Sequence, residues 1–242
     1  DPDDPVVIDA GAAFEFLQAF ALVHDDVMDG SSTRRGSRTA HLAFSDRHQL
    51  ERWRGEQRRF GEGVAILIGD LAHVYADMLV RRAPAPVLSV WDELRIELNV
   101  GQYLDILGTA RGDVDPVAAR RIARYKSGKY TIERPLHVGA ALVGRYEELG
   151  PSLSAYGDPV ASRAASAEQR EVLQRVGGPD LSDVEIGCIQ DVLRDTGAVE
   201  AIERDIERLT TGALEAIATA DITEEARVAL VDLAHFVAWR DT

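Results

Sequence analysis

Apolar residues return every three or four positions through nearly all of this 242-residue chain, and that recurrence narrows the choice of fold more than any other feature. Such spacing stacks side chains on one face of an α-helix, whereas a half-buried strand needs strict alternation. The segments also end in helix punctuation. Asp115-Pro116 offers an N-cap with proline at the first helical position, and Ser182 with Glu185 forms a capping box. No run of alternating β-branched residues is bounded by Asn-Gly or Asp-Gly, so no sheet of any size is expected. The chain reads as all-α. A first helix is predicted over about Asp9–Asp29, broken by Gly30-Ser31-Ser32. A polar connection rich in Arg and Gly extends to about Phe60, and Glu62–Arg82 reads as the next helix. The whole chain is expected to form a single domain. After Val160 the sequence passes into Ala161-Ser162-Arg163-Ala164-Ala165-Ser166, small residues without an apolar stripe, and a segment is expected to be absent near 160/161.

Charge excludes some partners. Against 41 Asp and Glu stand 27 Lys and Arg, a net charge of −14, which repels nucleic-acid phosphates and anionic membrane surfaces at long range. An anionic ligand must therefore be captured locally, by clustered basic side chains or metal cations. Cys188 is the one cysteine, so neither an intramolecular disulfide nor a Cys-based zinc site is expected, and a reducing, cytoplasmic location is the natural expectation. The longest apolar stretches, such as Gly63–Gly69 and Leu136–Gly144, fall short of the roughly 20 residues that span a bilayer. Neither a membrane span nor a signal peptide is expected. His24, His41, His48, His73, His137 and His235 show no zinc-ligand spacing such as HExxH and read as structural or surface residues.

The sharpest local feature is His24-Asp25-Asp26-Val27-Met28-Asp29, closing an otherwise apolar helix. Asp25 and Asp29 are four apart, so their carboxylates share one helical face, with Asp26 to the side. Three carboxylates so close repel one another. A helix C-terminus also disfavours negative charge, so the cluster costs stability unless a cation neutralises it. Mg²⁺ suits such a place, because it takes oxygen ligands and is commonly held by one or two carboxylates together with substrate phosphates. A solvated acidic helix end would carry the same residues. Arg34 and Arg35 come just past the Gly-Ser-Ser break, however, and guanidinium groups match phosphate oxygens in shape as well as charge.

Taken together, these residues resemble the trans-isoprenyl diphosphate synthases, whose first motif DDxxD is followed by RRG, here Asp25 to Asp29 and Arg34-Arg35-Gly36. Gly69-Asp70, Gly101-Gln102-Tyr103-Leu104-Asp105 and Tyr125-Lys126-Ser127-Gly128-Lys129-Tyr130 look like the family's later signatures in the right order. The resemblance covers roughly Ala10 to Val160, and co-occurrence makes it more specific than any one motif. It implies the isoprenoid-synthase helical bundle around a central cavity, a homodimer, and a catalytic set of Asp25, Asp26, Asp29, Arg34 and Lys126. Asp25 and Asp29 would ligate Mg²⁺. Arg34, Lys126 and Ser127 would hold an allylic diphosphate, Arg35 and Gln18 isopentenyl diphosphate, with Gln102 also on the substrate side. The reaction implied is ionisation of the allylic diphosphate, attack by the isopentenyl double bond and loss of a proton, with no protein nucleophile.

Product length is read from the same helix. Phe20 stands five residues before Asp25, about 7.5 Å down the axis, with small Ala21 beside it. In similar enzymes these side chains floor the pocket for the growing tail, and one aromatic with a small neighbour looks like a C20, geranylgeranyl, synthase. Leu17 and Phe14 lie deeper. Two family pieces are not seen: a GGKR-like opening segment, and the second aspartate-rich helix expected after Val160, for which Asp158, Asp180, Asp183 and Asp191 offer no replacement. A non-catalytic regulatory subunit of such a synthase and a class I terpene cyclase are therefore the rival readings.

Overall fold

The structure is a computed structural model that describes residues 4–112, 121–122, 124–161 and 198–239, with only the backbone at 127, 158–161, 198–202, 205 and 239. The chain divides into two compact units, Asp1–Leu88 and Ser89–Thr242. The capping signals at Asp115-Pro116 and Ser182/Glu185, and Cys188, lie outside the described residues.

In the first unit, α1 runs Pro5–Met28. It starts earlier than expected because Asp4 caps it: the Asp4 carboxylate accepts the Val6 N–H at 2.9 Å, and Pro5 takes the first helical position. A two-stranded antiparallel hairpin comes next, β1 (Thr33–Arg34) and β2 (Ser37–Arg38). Helices α2 (Ala40–Leu50) and α3 (Gln57–Val80) complete the unit. Helix α2 lies where the sequence predicts a polar connection. Its buried side chains are His41, Ser45 and His48, a helical period carried by polar residues that apolar spacing cannot reveal. It packs against α3 so closely that a Cβ on Gly61 would lie 2.1 Å from the His41 carbonyl oxygen.

Helices α1 and α3 pack antiparallel, as His24 against Gly69 and Phe20 against His73 require. The approach is close because the buried positions are small: Ala10 and Ala13 on α1, Ala65, Gly69 and Ala76 on α3. Each helix has 24 residues and a mean hydropathy, 1.7 and 1.6 over its most apolar stretch, that would by length and composition allow it to cross a membrane. Counting uninterrupted apolar runs missed this, since single polar residues such as Gln18 and Asp70 break each run. Core helices that pack on one another, as these two do, pass the same test. Leu67, Leu71, Val74 and Met78 nevertheless form an exposed apolar stripe on α3.

The second unit takes in most of α4 (Ala85–Arg111). A π-helix, Arg124–Glu133, continues into α5 (Arg134–Leu142), and α6 (Tyr146–Ala161), α7 (Ala198–Ala218) and α8 (Glu224–Trp239) complete the unit. The backbone of α6 runs through 160/161, and residues 162–197 lie outside the described ones. Ile132, Tyr156, Ala213, Ile217 and Ala234 form one core cluster, and the Tyr156 hydroxyl donates to the Leu230 carbonyl at 2.7 Å. Burial pushes the Tyr156 phenol up to about 12. A guanidinium closes the end of α7, with Arg227 donating to the carbonyls of Ile217 and Ala220. Among the described residues, the hairpin holds the two strands, and every other regular element is helical.

Candidate active site

Local backbone chemistry sets the acidic turn where it is. Gly30 adopts φ +64 just past the last turn of α1, and the Ser31 N–H bonds back to the Asp26 carbonyl at 3.0 Å, the long bond of a Schellman stop. The helix therefore ends with Asp25, Asp26 and Asp29 on its final turn. The hairpin then reverses at Arg35 and Gly36, φ +51 and +76, the two positive-φ positions of a tight type I′ turn. Thr39, buried, ties the hairpin back by donating to the Ser31 carbonyl at 2.8 Å. Arg38 pairs with Asp46 on α2.

This arrangement brings Arg34 onto the aspartates. Its Nε donates to Asp26 Oδ1 at 2.7 Å and its Nη2 to Asp25 Oδ2 at 3.2 Å. Asp26 is buried, Asp25 half-buried and Asp29 exposed. The hydrogen bond to Asp26 holds the Arg34 pKa above its ordinary value; partial burial opposes this, and the charges of Asp26 and Asp25 add to it. The repulsion among these carboxylates, which the sequence alone would leave to a cation, is thus relieved at two of them by an arginine. Among the described residues no three histidine, cysteine or carboxylate side chains converge as a ligand group. Asp25 and Asp29, oxygen donors on one face at a helix C-terminus, still fit Mg²⁺, which needs only one or two carboxylates when phosphates supply the rest.

The other predicted residues of this unit differ in exposure. Arg35 is exposed at the hairpin tip, and Gln18, Ala21 and Phe14 are half-buried. Leu17 is fully buried. The Phe20 ring lies between two imidazoles, edge-on to His24 at 4.7 Å and stacked on His73 of α3 at 4.8 Å. His24 donates through Nε2 to the Ile66 carbonyl at 3.0 Å, with Asp70 Oδ1 at 3.6 Å. A Cβ on Gly69 would lie 2.2 Å from the His24 ring, so the Gly69-Asp70 pair is explained by the imidazole it receives.

In the second unit, Glu97, Gly101 and Asp105 recur every four residues along one face of α4. The π-helix lies against that face. Lys126 donates to Asp105 at 2.7 Å and Lys129 to Glu97 at 2.6 Å. Between them the backbones touch, since a Cβ on Gly101 would lie 2.4 Å from the Lys126 nitrogen. Gln102 is half-buried beside this contact, and Ser127 is placed in the π-helix by its backbone.

Sequence reading missed a polar network around Lys129. Arg134 forks onto Glu97 through Nε and Nη2, both at 2.7 Å, pairs with Glu93 at 2.9 Å, and donates to His137 Nδ1 at 3.3 Å. His137 Nε2 therefore carries the proton and meets Ser154 Oγ at 3.1 Å, while the Ser154 hydroxyl donates to Glu133 Oε1 at 3.1 Å. Burial, with the Arg134 charge, pushes His137 down to about 4. Burial alone would raise Glu97, but bonds from Arg134 and Lys129 outweigh it and hold Glu97 below its ordinary value. The signal that could have found the network was the four-residue recurrence of Glu97, Gly101 and Asp105.

The polyprenyl synthetase family model matches residues 2–162. Among solved structures, a geranylgeranyl pyrophosphate synthase from Corynebacterium glutamicum, complexed with isoprenyl diphosphate and magnesium, superposes with a TM-score of 0.87 at 30% identity, covering 99% of this chain and 80% of that one. A geranylgeranyl diphosphate synthase from Methanosarcina mazei is 29% identical over 193 residues, 73% of this chain and 53% of its own. A geranylfarnesyl diphosphate synthase from Aeropyrum pernix is 27% identical over 184 residues, 72% of this chain and 52% of its own. The chain spans about half the length of these two curated relatives. Its fold is that of the all-α isoprenoid synthases, and the chain belongs to the polyprenyl synthetase family.

Proposed function

We propose that this protein is a magnesium-dependent prenyltransferase that condenses isopentenyl diphosphate with allylic diphosphates to a prenyl diphosphate, of C20 length. The observation that carries the reading is the Arg34 guanidinium seated on Asp25 and Asp26 at the end of α1, inside a chain of this family. The ligands of the C. glutamicum relative, an isoprenyl diphosphate and magnesium, support the same substrate class.

On this reading Asp25 and Asp29 hold Mg²⁺, and Asp26, fixed by Arg34, keeps the last turn in place. The ion supplies positive charge that stabilises the departing diphosphate. Arg34 spends its Nε and Nη2 on the carboxylates, and of its five N–H donors those on Nη1 serve the phosphate oxygens. Lys126 and Ser127 hold diphosphate oxygens from the π-helix, Arg35 and Gln18 hold isopentenyl diphosphate, and Gln102 supports the substrate side. No side chain attacks the substrate; the chain's residues orient two diphosphates and stabilise charge. Phe20, backed by His73, floors the hydrocarbon pocket, with Ala21, Leu17 and Phe14 around it. The exposed apolar stripe of α3 suits burial against a second copy, a homodimer.

The test incubates the protein with Mg²⁺, labelled isopentenyl diphosphate and each allylic primer in turn. Prenyl diphosphates of about C20 length are expected. Cyclic hydrocarbons would assign a terpene cyclase, and turnover only after adding a second synthase would assign a regulatory subunit.

A further inference from the structure

Two lysines on one π-helix meet α4 differently. Lys126, a quarter exposed, lies on Asp105, while Lys129 is only 11% exposed and lies on Glu97. Lys126 can exchange Asp105 for an anionic ligand near solvent. Lys129 cannot leave without giving up its own counter-charge in the interior and removing one of the two cations that hold Glu97, itself 16% exposed. Glu97 also takes both nitrogens of the Arg134 fork, and the Arg134 side chain is 7% exposed.

The segment they hold is intrinsically weak. Helices with i→i+5 bonds are rare and usually persist for a single turn, often at functional places, whereas this one runs from Arg124 to Glu133. Its hold comes from outside: Lys129 and Arg134 on Glu97 at one end, and the backbone contact at Gly101 against the Lys126 nitrogen. Relaxation to the ordinary i→i+4 register would turn every side chain upstream of the anchor about the axis, Lys126 among them.

We infer that Glu97, acting through Lys129 and Arg134, is a positioning residue that fixes the π-register and so presents Lys126 to the allylic diphosphate. This rests on the proposed role of Lys126 in holding that diphosphate. Glu97 touches no substrate itself; its effect passes through the direction in which Lys126 points.

The experiment measures kcat and KM for each diphosphate with the full chain as wild type, Glu97→Gln, Lys126→Ala and the double variant. Glu97→Gln is expected to raise the allylic KM roughly tenfold to a hundredfold, the loss that a small misplacement can cause, with the isopentenyl KM unchanged. In the Lys126→Ala background the same change is expected to add nothing. A lowered Tm with unaltered allylic KM, or an equal loss in both backgrounds, would make the network purely a stabilising one and overturn the inference. Should Glu97→Gln fail to fold, Lys129→Met cuts one link and is read by the same criteria. If Lys126→Ala alone leaves the allylic KM at the wild-type value, the proposed role of Lys126 falls first and the inference with it.

Discussion

Arg34 Nε donates to Asp26 Oδ1 at 2.7 Å, joining the hairpin after α1 to a carboxylate buried in the last turn of that helix. Arg34→Met leaves Asp26 buried without its counter-charge, a loss of about 2 kcal/mol, moderated because the Arg34 side chain is a third exposed. Arg34→Lys keeps the charge but not the paired donors and should lose less. Denaturant titration measures both. Added Mg²⁺ should restore more stability to Arg34→Met than to wild type, since a second cation then takes over the neutralisation.

Two glycines are required by what sits against them. A Cβ at Gly69 meets the His24 ring at 2.2 Å, and one at Gly101 meets the Lys126 backbone nitrogen at 2.4 Å. An imidazole can swing aside at the cost of its bond to the Ile66 carbonyl, whereas a backbone cannot. Gly101→Ala should therefore destabilise more than Gly69→Ala, by over about 2 kcal/mol against about 1. Comparing the two melting temperatures checks the order.

His137 makes the second unit sensitive to acid. Its folded pKa, about 4, lies below the ordinary 6.5, so between these values the unfolded chain binds a proton that the folded chain refuses. Stability is then complete above pH 6.5 and falls as pH drops toward 4, by at most roughly 3 kcal/mol. Glu97, lowered from its ordinary 4.5, contributes further loss only below that value, so the interval from 6.5 to 5 isolates the histidine. His137→Gln should flatten the denaturation midpoint across that interval. A slope as steep as wild type would assign the acid sensitivity elsewhere.

Phe20 and His73 act as one wall, their rings stacked at 4.8 Å. Phe20→Ala should lengthen the main product beyond C20, and His73→Ala should do so to a lesser degree by releasing the Phe20 ring. Chromatography of dephosphorylated products reads this directly, and an unchanged distribution in Phe20→Ala would remove that residue from the pocket floor.

How much of the fold and site is legible in the sequence varies with the physics involved. Helices α1 and α3 show because apolar residues run along them, on exposed as well as buried faces. Helix α2 does not, because His41, Ser45 and His48 mark its buried face. The aspartate turn and Arg34 are readable as spacing, but spacing cannot say that Arg34 closes on Asp25 and Asp26. That closure depends on the reversal at Arg35 and Gly36, a backbone event. The Glu97–Arg134 pair joins residues 37 apart; the recurrence of Glu97, Gly101 and Asp105 marks the face of α4 that is contacted, but no local pattern names the partner that reaches it.

On the proposed reading the end of α1 gathers Mg²⁺ together with a diphosphate. Calorimetric titration of the full protein with a non-hydrolysable bisphosphonate, with and without Mg²⁺, tests it most directly. Binding should depend on Mg²⁺ and weaken at least about a hundredfold in Asp25→Ala. Binding of equal strength without the metal, or undiminished in that variant, would contradict it.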